Sequence, residues 1–176
     1  MSITIRDGRE SDLTALVDLY NRYVDTSHVT FDDEPIAVDD RRAWFSAFDP
    51  DGPYRLLVAE PSGAGAESDS TLPLLGYASA TRYRPKPGYR TSVETSVYLH
   101  PDHLGRGLGG RLYARLIERL DADPRLHRAY AGVALPNPAS EALHVRSGYT
   151  ELVTYREVGT KFGKFWDVRW FERSLD

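Results

Sequence analysis

The 176-residue chain contains no cysteine. That removes disulfides, thiolate-ligated zinc, iron–sulfur clusters and a cysteine nucleophile. It also lacks a basic excess: 22 Lys and Arg stand against 26 Asp and Glu, a net charge of −4. A phosphate-backbone binder would carry the opposite balance, so nucleic acid is not an expected partner. No uninterrupted apolar run approaches the roughly 20 residues that span a bilayer. Met1-Ser2-Ile3-Thr4-Ile5-Arg6-Asp7 reads as a strand and not as a signal peptide. Repeats at solenoid or propeller periods are missing too. A soluble, cytoplasmic chain without a membrane partner is the expectation. What is present suffices for a core: hydrophobic residues make up 41% and charged residues 27%, and the length fits one domain over residues 1–176.

Periodicity gives an alternation of strands and helices. Ile3 and Ile5 alternate with Thr4 and Arg6, and Asp7-Gly8 ends that strand. Ser11 or Asp12 is placed to cap a helix whose apolar positions Leu13, Leu16, Val17, Tyr20, Tyr23 and Val24 step by three and four. A polar connector over 26–35 leads to a short helix from Asp39 to Phe48. Strands are expected over Tyr54–Glu60, Leu74–Tyr83 and Thr91–Leu99, with a small, polar loop over 61–70. An amphipathic helix then carries Leu108, Leu112, Leu116 and Leu120. A strand from Arg128 to Leu135, a helix from Pro138 to Ser147 closed by Gly148, and strands Tyr149–Val158 and Phe165–Glu172 complete the chain. Strands flank helices throughout, which argues a mixed α/β or α+β sheet.

The informative stretch is Leu104-Gly105-Arg106-Gly107-Leu108-Gly109-Gly110, between a strand and the long helix. Gly105, Gly107 and Gly110 satisfy G-x-G-x-x-G, the dinucleotide fingerprint. That fingerprint also needs an acidic residue at the end of the next strand, which here closes on Leu135-Pro136-Asn137. A phosphate loop of the nucleotide-hydrolase kind needs a Gly-Lys-Ser/Thr, also missing. Anion capture is what survives. A helix starting near Leu108 offers unpaired N–H groups and the positive end of its dipole, small residues let a phosphate approach, and Arg106 adds a charge.

The order strand, glycine loop, long helix, strand, Asn137, helix, Gly148-Tyr149 resembles the GNAT acetyltransferase superfamily, and more closely its phosphinothricin N-acetyltransferase branch. The likeness extends over Tyr23-Val24-Asp25-Thr26-Ser27, Phe31, Glu34-Pro35, Val93-Glu94-Thr95-Ser96-Val97-Tyr98-Leu99, Leu135-Pro136-Asn137-Pro138, Leu143-His144 and Lys161-Phe162-Gly163-Lys164-Phe165-Trp166-Asp167-Val168. One position departs: Leu104 stands where the superfamily's loop opens on a polar residue. The resemblance implies a central, mostly antiparallel sheet, splayed where a cofactor enters, with helices on both faces. It implies acetyl-CoA as donor, its arm along Val97, Tyr98 and Leu99 and its diphosphate on Gly105, Arg106, Gly107, Leu108, Gly109 and Gly110. Asn137 would hold the arm and Arg146 would approach the phosphates. Asn137 ahead of Pro138 equally reads as a helix N-cap, and Arg146 as a solvated helix residue.

Acetylation needs a neutral amine, and an aliphatic ammonium titrates near 10. Glu94 is the candidate base: it interrupts an otherwise apolar and hydroxylic strand, and desolvation makes a carboxylate a better proton acceptor. Alternation puts Glu94, Ser96 and Tyr98 on one face and Val93, Thr95, Val97 and Leu99 on the other. An exposed glutamate on an edge strand is the competing reading. His144 occupies the place where many relatives carry a tyrosine near the thioester, with carbonyl polarisation, oxyanion stabilisation or thiolate protonation as its expected roles. His100 and His103 form an H-x-x-H pair but lack a further ligand, and no metal is expected. Arg84 and Lys86 with Tyr89 suit a small amine acceptor bearing a carboxylate and a second acidic group of phosphinate or sulfoximine type. The resemblance adds Thr30, Phe31, Thr95 and Ser96 to the acceptor site. Polyamine or protein N-terminal acetylation, and a non-catalytic acyl-CoA sensor, are the alternatives. The tail Trp166-Asp167-Val168-Arg169-Trp170 fits a homodimer interface, as in relatives, or core packing; the residues leave both open.

Overall fold

Strand residues Leu56, Leu57, Val58 and Ala59 are all buried. A continuous apolar run of this kind belongs to a strand covered on both faces. In the computed structural model, which describes residues 2–63 and 74–175, that strand lies inside a seven-stranded sheet. The elements follow as β1 (Ile3–Asp7), α1 (Leu13–Thr26), α2 (Val38–Phe45), β2 (Arg55–Pro61), β3 (Gly76–Arg82), β4 (Ser92–Leu99), α3 (Leu108–Asp121), β5 (Arg128–Ala134), α4 (Pro138–Arg146), β6 (Thr150–Lys161) and β7 (Lys164–Ser174). Strand order is β1-β2-β3-β4-β5-β7-β6. All neighbours are antiparallel except β4 and β5, which the α3 crossover makes parallel.

The two faces bury different chemistry. Leu57, Ala59, Ala78, Ala80 and Val93 meet Leu108, Leu112, Leu116 and Leu120 of α3 in one cluster. On the other face Leu56, Val58 and Tyr77 meet Leu16 and Leu19 of α1, with Trp44 of α2 and Tyr98 packed alongside. The expected fold class and the helices on both faces are therefore present. So is the splay: β4 and β5 pair only over Ser92–Glu94 against Arg128–Tyr130, and then separate.

Boundaries differ where turns compete with helix or strand. The second helix ends at Phe45, three residues short of expectation, because Ala47 and Phe48 form tighter turns on Trp44 and Phe45. Strand β3 starts at Gly76 instead of Leu74. The last hairpin is longer than expected, Thr150–Lys161 with Lys164–Ser174, since β6 absorbs an irregularity between Tyr155 and Gly159 and resumes pairing. Within it Glu157 has φ of 51° and its N–H donates to Asp167 Oδ1 at 2.8 Å. The loop expected over 61–70 lies, beyond Gly63, outside the described residues. Among the described residues no helix is long and apolar enough to cross a membrane.

Candidate active site

Where β4 and β5 part, a cavity of about 550 Å³ opens between Thr95–Leu99, Gly132–Ala134, the loop at Leu104–Gly110 and the first turns of α4. One end of it is the start of α3. Gly107 caps the helix with a left-handed φ of 74°, and Gly105 has φ of 71°, conformations a side chain resists. A methyl placed on Gly105, Gly107 or Gly110 would meet nothing within 4 Å. Packing therefore does not demand those glycines, and the space in front of the helix N–H groups is open. Arg106 and Leu104 are exposed, whereas Leu108 and Gly109 are buried, Gly109 close against Leu99.

The sides of the cavity are backbone and small side chains. Val97, Tyr98 and Leu99 have no ladder partner in β5; the carbonyl of Leu99 accepts from the Tyr23 hydroxyl at 2.5 Å. Asn137 accepts from Ser140 N–H at 3.1 Å, capping α4 ahead of Pro138, and also lines the cavity. The N-cap role foreseen for it is present. Arg146 is exposed at the rim.

Glu94 sits just before the parting, in the last residue pair of β4 with β5, opposite Tyr130. It is half-buried in the middle of the sheet, so the edge-strand reading does not hold. Burial raises its carboxyl above the ordinary glutamate value, and the positive charge of Arg84 pulls the other way. Ser96 shares its face and bonds to Ser79 at 2.9 Å. Thr95 points to the opposite face, where its hydroxyl is 2.7 Å from the Tyr113 hydroxyl, 2.9 Å from that of Tyr149, and donates to the Tyr130 carbonyl at 3.1 Å. With those three partners its hydroxyl is committed to the core, unlike that of Ser96.

His144 lies at that core. It is 3% exposed, stacked on Phe171 and edged by Tyr113 and Tyr149. Nδ1 is 2.7 Å from the Ser140 carbonyl, which only accepts, so Nδ1 carries the proton. Burial holds the ring below the ordinary histidine pKa, the Ser140 carbonyl opposing. Nε2 is buried without a partner among the described residues. A neutral ring protonated on Nδ1 leaves Nε2 as an acceptor.

The acceptor candidates divide. Arg84 is exposed, 4.5 Å above the Tyr83 ring and 6.0 Å from that of Trp170. Lys86 and Tyr89 are exposed, Tyr89 edging Tyr83. Thr30 is buried, bonded to Tyr20, and it is its neighbour Val29 that lines the cavity. Phe31 packs over Gly159. Sequence reasoning missed the aromatic wall beside Glu94: Tyr130 stacks on Tyr83 at 4.5 Å, and Trp170 lies against Gly132. Only the β4–β5–β7 register brings these rings together. The rings of the aromatic tail pack inward, Trp166 on His28 and Trp170 on Gly132. His100 and His103 have ring centroids 6.0 Å apart, and among the described residues no group of three or more metal-ligating side chains occurs.

Known proteins share this arrangement. The Acetyltransferase (GNAT) family profile matches residues 16–149. A phosphinothricin N-acetyltransferase of Streptomyces coelicolor is 52% identical over 98% of this chain and 96% of its own length. An L-methionine sulfoximine/L-methionine sulfone acetyltransferase of Pseudomonas paraeruginosa is 38% identical over 100% of this chain and 96% of its own. Among solved structures, an acetyltransferase from Salmonella typhimurium with its cofactor acetyl-CoA superposes with a TM-score of 0.88 at 35% identity, covering 100% of this chain and 95% of its own.

Proposed function

The chain belongs to the Acetyltransferase (GNAT) family, and on that premise we propose that it transfers acetyl from acetyl-CoA to the primary amine of a small, anionic amino acid of the phosphinothricin or methionine sulfoximine type. One observation carries the reading: a cavity that starts at an open helix N-terminus, follows strand backbone that β5 leaves unpaired and reaches Thr95, the residue after the half-buried Glu94.

The residues fit such a donor. The glycine loop has room for a diphosphate against N–H groups of α3. No β5 residue pairs with Val97, Tyr98 or Leu99, which leaves backbone on that side, apart from the Leu99 carbonyl held by Tyr23, to meet an amide-bearing arm. His144 Nε2 is a buried acceptor that finds no partner among the described residues. Leu104 contributes no polar contact to the loop, leaving that work to backbone donors.

Glu94 takes a proton from the acceptor's ammonium, which frees the nitrogen lone pair. The amine then attacks the thioester carbon; a C–N bond forms, the C–S bond breaks, and the thiolate departs. A thiol titrating near 8.5 leaves readily without prior protonation. The roles expected for His144, carbonyl polarisation, oxyanion stabilisation and thiolate protonation, each need a proton on Nε2; the Nδ1–H tautomer instead suits Nε2 to accept the proton shed by nitrogen. Arg84 supplies the cation for the acceptor's carboxylate, with Lys86 at the outer rim, a pairing that disfavours a polyamine. Tyr83, Tyr130 and Trp170 form an apolar wall beside the amine.

We include self-association in this reading. Strand β6 is a sheet edge that exposes Leu152 (47%), Tyr155 (51%) and Val158 (57%); an apolar edge strand is normally covered. A second copy of this chain is the occupant, and light scattering on the eluting protein should give twice the chain mass. A monomer at micromolar concentration removes this part.

The test of the activity is thiol release from acetyl-CoA across a panel of amino acids, polyamines and peptides, with products identified by mass. Acetylated phosphinothricin or methionine sulfoximine at the highest kcat/KM is expected. Preference for a polyamine or peptide overturns the acceptor class, and no turnover on any amine overturns the activity.

A further inference from the structure

Residues 27–37 between α1 and α2 form no regular secondary structure, yet they carry Val29 into the cavity wall. Such a segment stays in place only through its side-chain and backbone partners. Three of its residues each find one on the β6–β7 hairpin. The His28 ring stacks on Trp166 with centroids 4.1 Å apart. The carbonyl of Thr30 accepts from Lys161 Nζ at 2.8 Å. Phe31 sits over Gly159, where a side-chain carbon would lie only 2.3 Å from the ring; that approach requires glycine.

Lys161 is the unusual member. It is 3% exposed, although Phe162 and Phe165 beside it are 56% and 68% exposed. A lysine is rarely enclosed while aromatic neighbours face water, because a buried ammonium without compensation is costly. Its compensation comes from the connector and the end of α1: the Thr30 carbonyl, and the charges of Asp32 and Asp33 with that of Asp25 in α1, which oppose the downward pull of burial on its pKa. Its own backbone is fixed in turn, since Trp166 Nε1 donates to the Lys161 carbonyl at 3.0 Å. Thr30 also hydrogen-bonds through its hydroxyl to Tyr20, whose ring edges Tyr98 at 5.3 Å, and Tyr98 lines the cavity.

We infer that Lys161 is a positioning residue for the acceptor end of the cleft, holding the 27–37 connector to the β6–β7 hairpin so that Val29 and Tyr98 keep the shape the acceptor reads. The inference rests on the functional reading above and deepens it: specificity depends on a residue that does not line the cavity. The glycine loop lies apart from this latch, and of the donor's strand only the Tyr98 ring meets it, while the Tyr98 backbone is held by Tyr77 of β3, so the backbone along which the donor's arm would run is left in place.

Lys161→Met keeps an unbranched side chain, one atom shorter, and removes its charge and donors. Acceptor KM should rise about tenfold or more, with acetyl-CoA KM within about twofold and kcat within about threefold of wild type. Gly159→Ala, which pushes on Phe31 without touching Lys161, should reproduce the same split. Amide hydrogen exchange needs no acceptor: residues 27–35 should exchange faster in Lys161→Met, while α3 and β2 keep their protection. Unchanged exchange over 27–35 in a folded variant overturns the latch, and so does an equal rise of both KM values with collapse of kcat. If wild-type protein turns over no amine, the functional reading fails, and exchange still decides whether Lys161 holds the connector.

Discussion

Glu94 and His144 lie on opposite faces of one sheet, and the contrast between their settings shows how the fold divides the work. Glu94 is only half-buried, with the guanidinium of Arg84 tempering the rise of its pKa. His144 is enclosed by Phe171, Tyr113 and Tyr149, and the Ser140 carbonyl opposes the fall of its own. Burial disfavours charge in both, so it pushes a carboxyl up and an imidazole down. Two acceptors result, one able to exchange protons with a water-borne ammonium and one confined beside a closed core. The parting of β4 from β5 joins them, because it opens the sheet between the two faces.

Substitutions break this comparison in order of size. Glu94→Gln should cut kcat by about a hundredfold or more while acetyl-CoA affinity stays near wild type; direct titration beside steady-state rates separates the two. His144→Gln should cost less, roughly tenfold in kcat, because Nε2 serves a proton that nitrogen sheds after attack. A loss equal to that of Glu94→Gln would make the two groups one unit. Arg84→Gln sharpens the contrast further. It removes the charge that lowers Glu94, so the acid limb of the rate profile should move to higher pH; the shift is small because Arg84 is exposed and screened. Acceptor KM should rise in the same variant.

The smallest effect concerns stability. The folded His144 takes up a proton at lower pH than the unfolded chain does, so between its lowered pKa and about 6.5 the unfolded state binds more protons. Stability should therefore fall as pH drops through that window, and His144→Gln should flatten this part of the curve. Thermal melts at several pH values read it directly.

Much of this was legible in the residues. Strand alternation put Glu94 and Ser96 on the face of Tyr98, and Ser96 does meet Ser79 there. Glycines ahead of Leu108 pointed to an open helix start, and Pro138 after Asn137 to a capped one. Positions that depend on register were hidden. Tyr130 becomes a neighbour of Glu94 only through parallel pairing, and Trp170 reaches Gly132 only through the β5–β7 ladder. Thr95 could not be told from Ser96 by type, since both offer a hydroxyl; what separates them is the pair of tyrosines behind Thr95. Nothing local in the sequence marks Lys161 as buried, because its partner, Thr30, is 131 residues away.

The most direct measurement is kcat/KM for the amino-acid acceptor as a function of pH, in wild type and in Glu94→Gln. Wild type should show an ascending limb set above the ordinary glutamate range, in keeping with the raised carboxyl, and the variant should lose that limb along with about two orders of magnitude in rate. The same limb at the same height in both proteins would contradict the assignment of proton removal to Glu94.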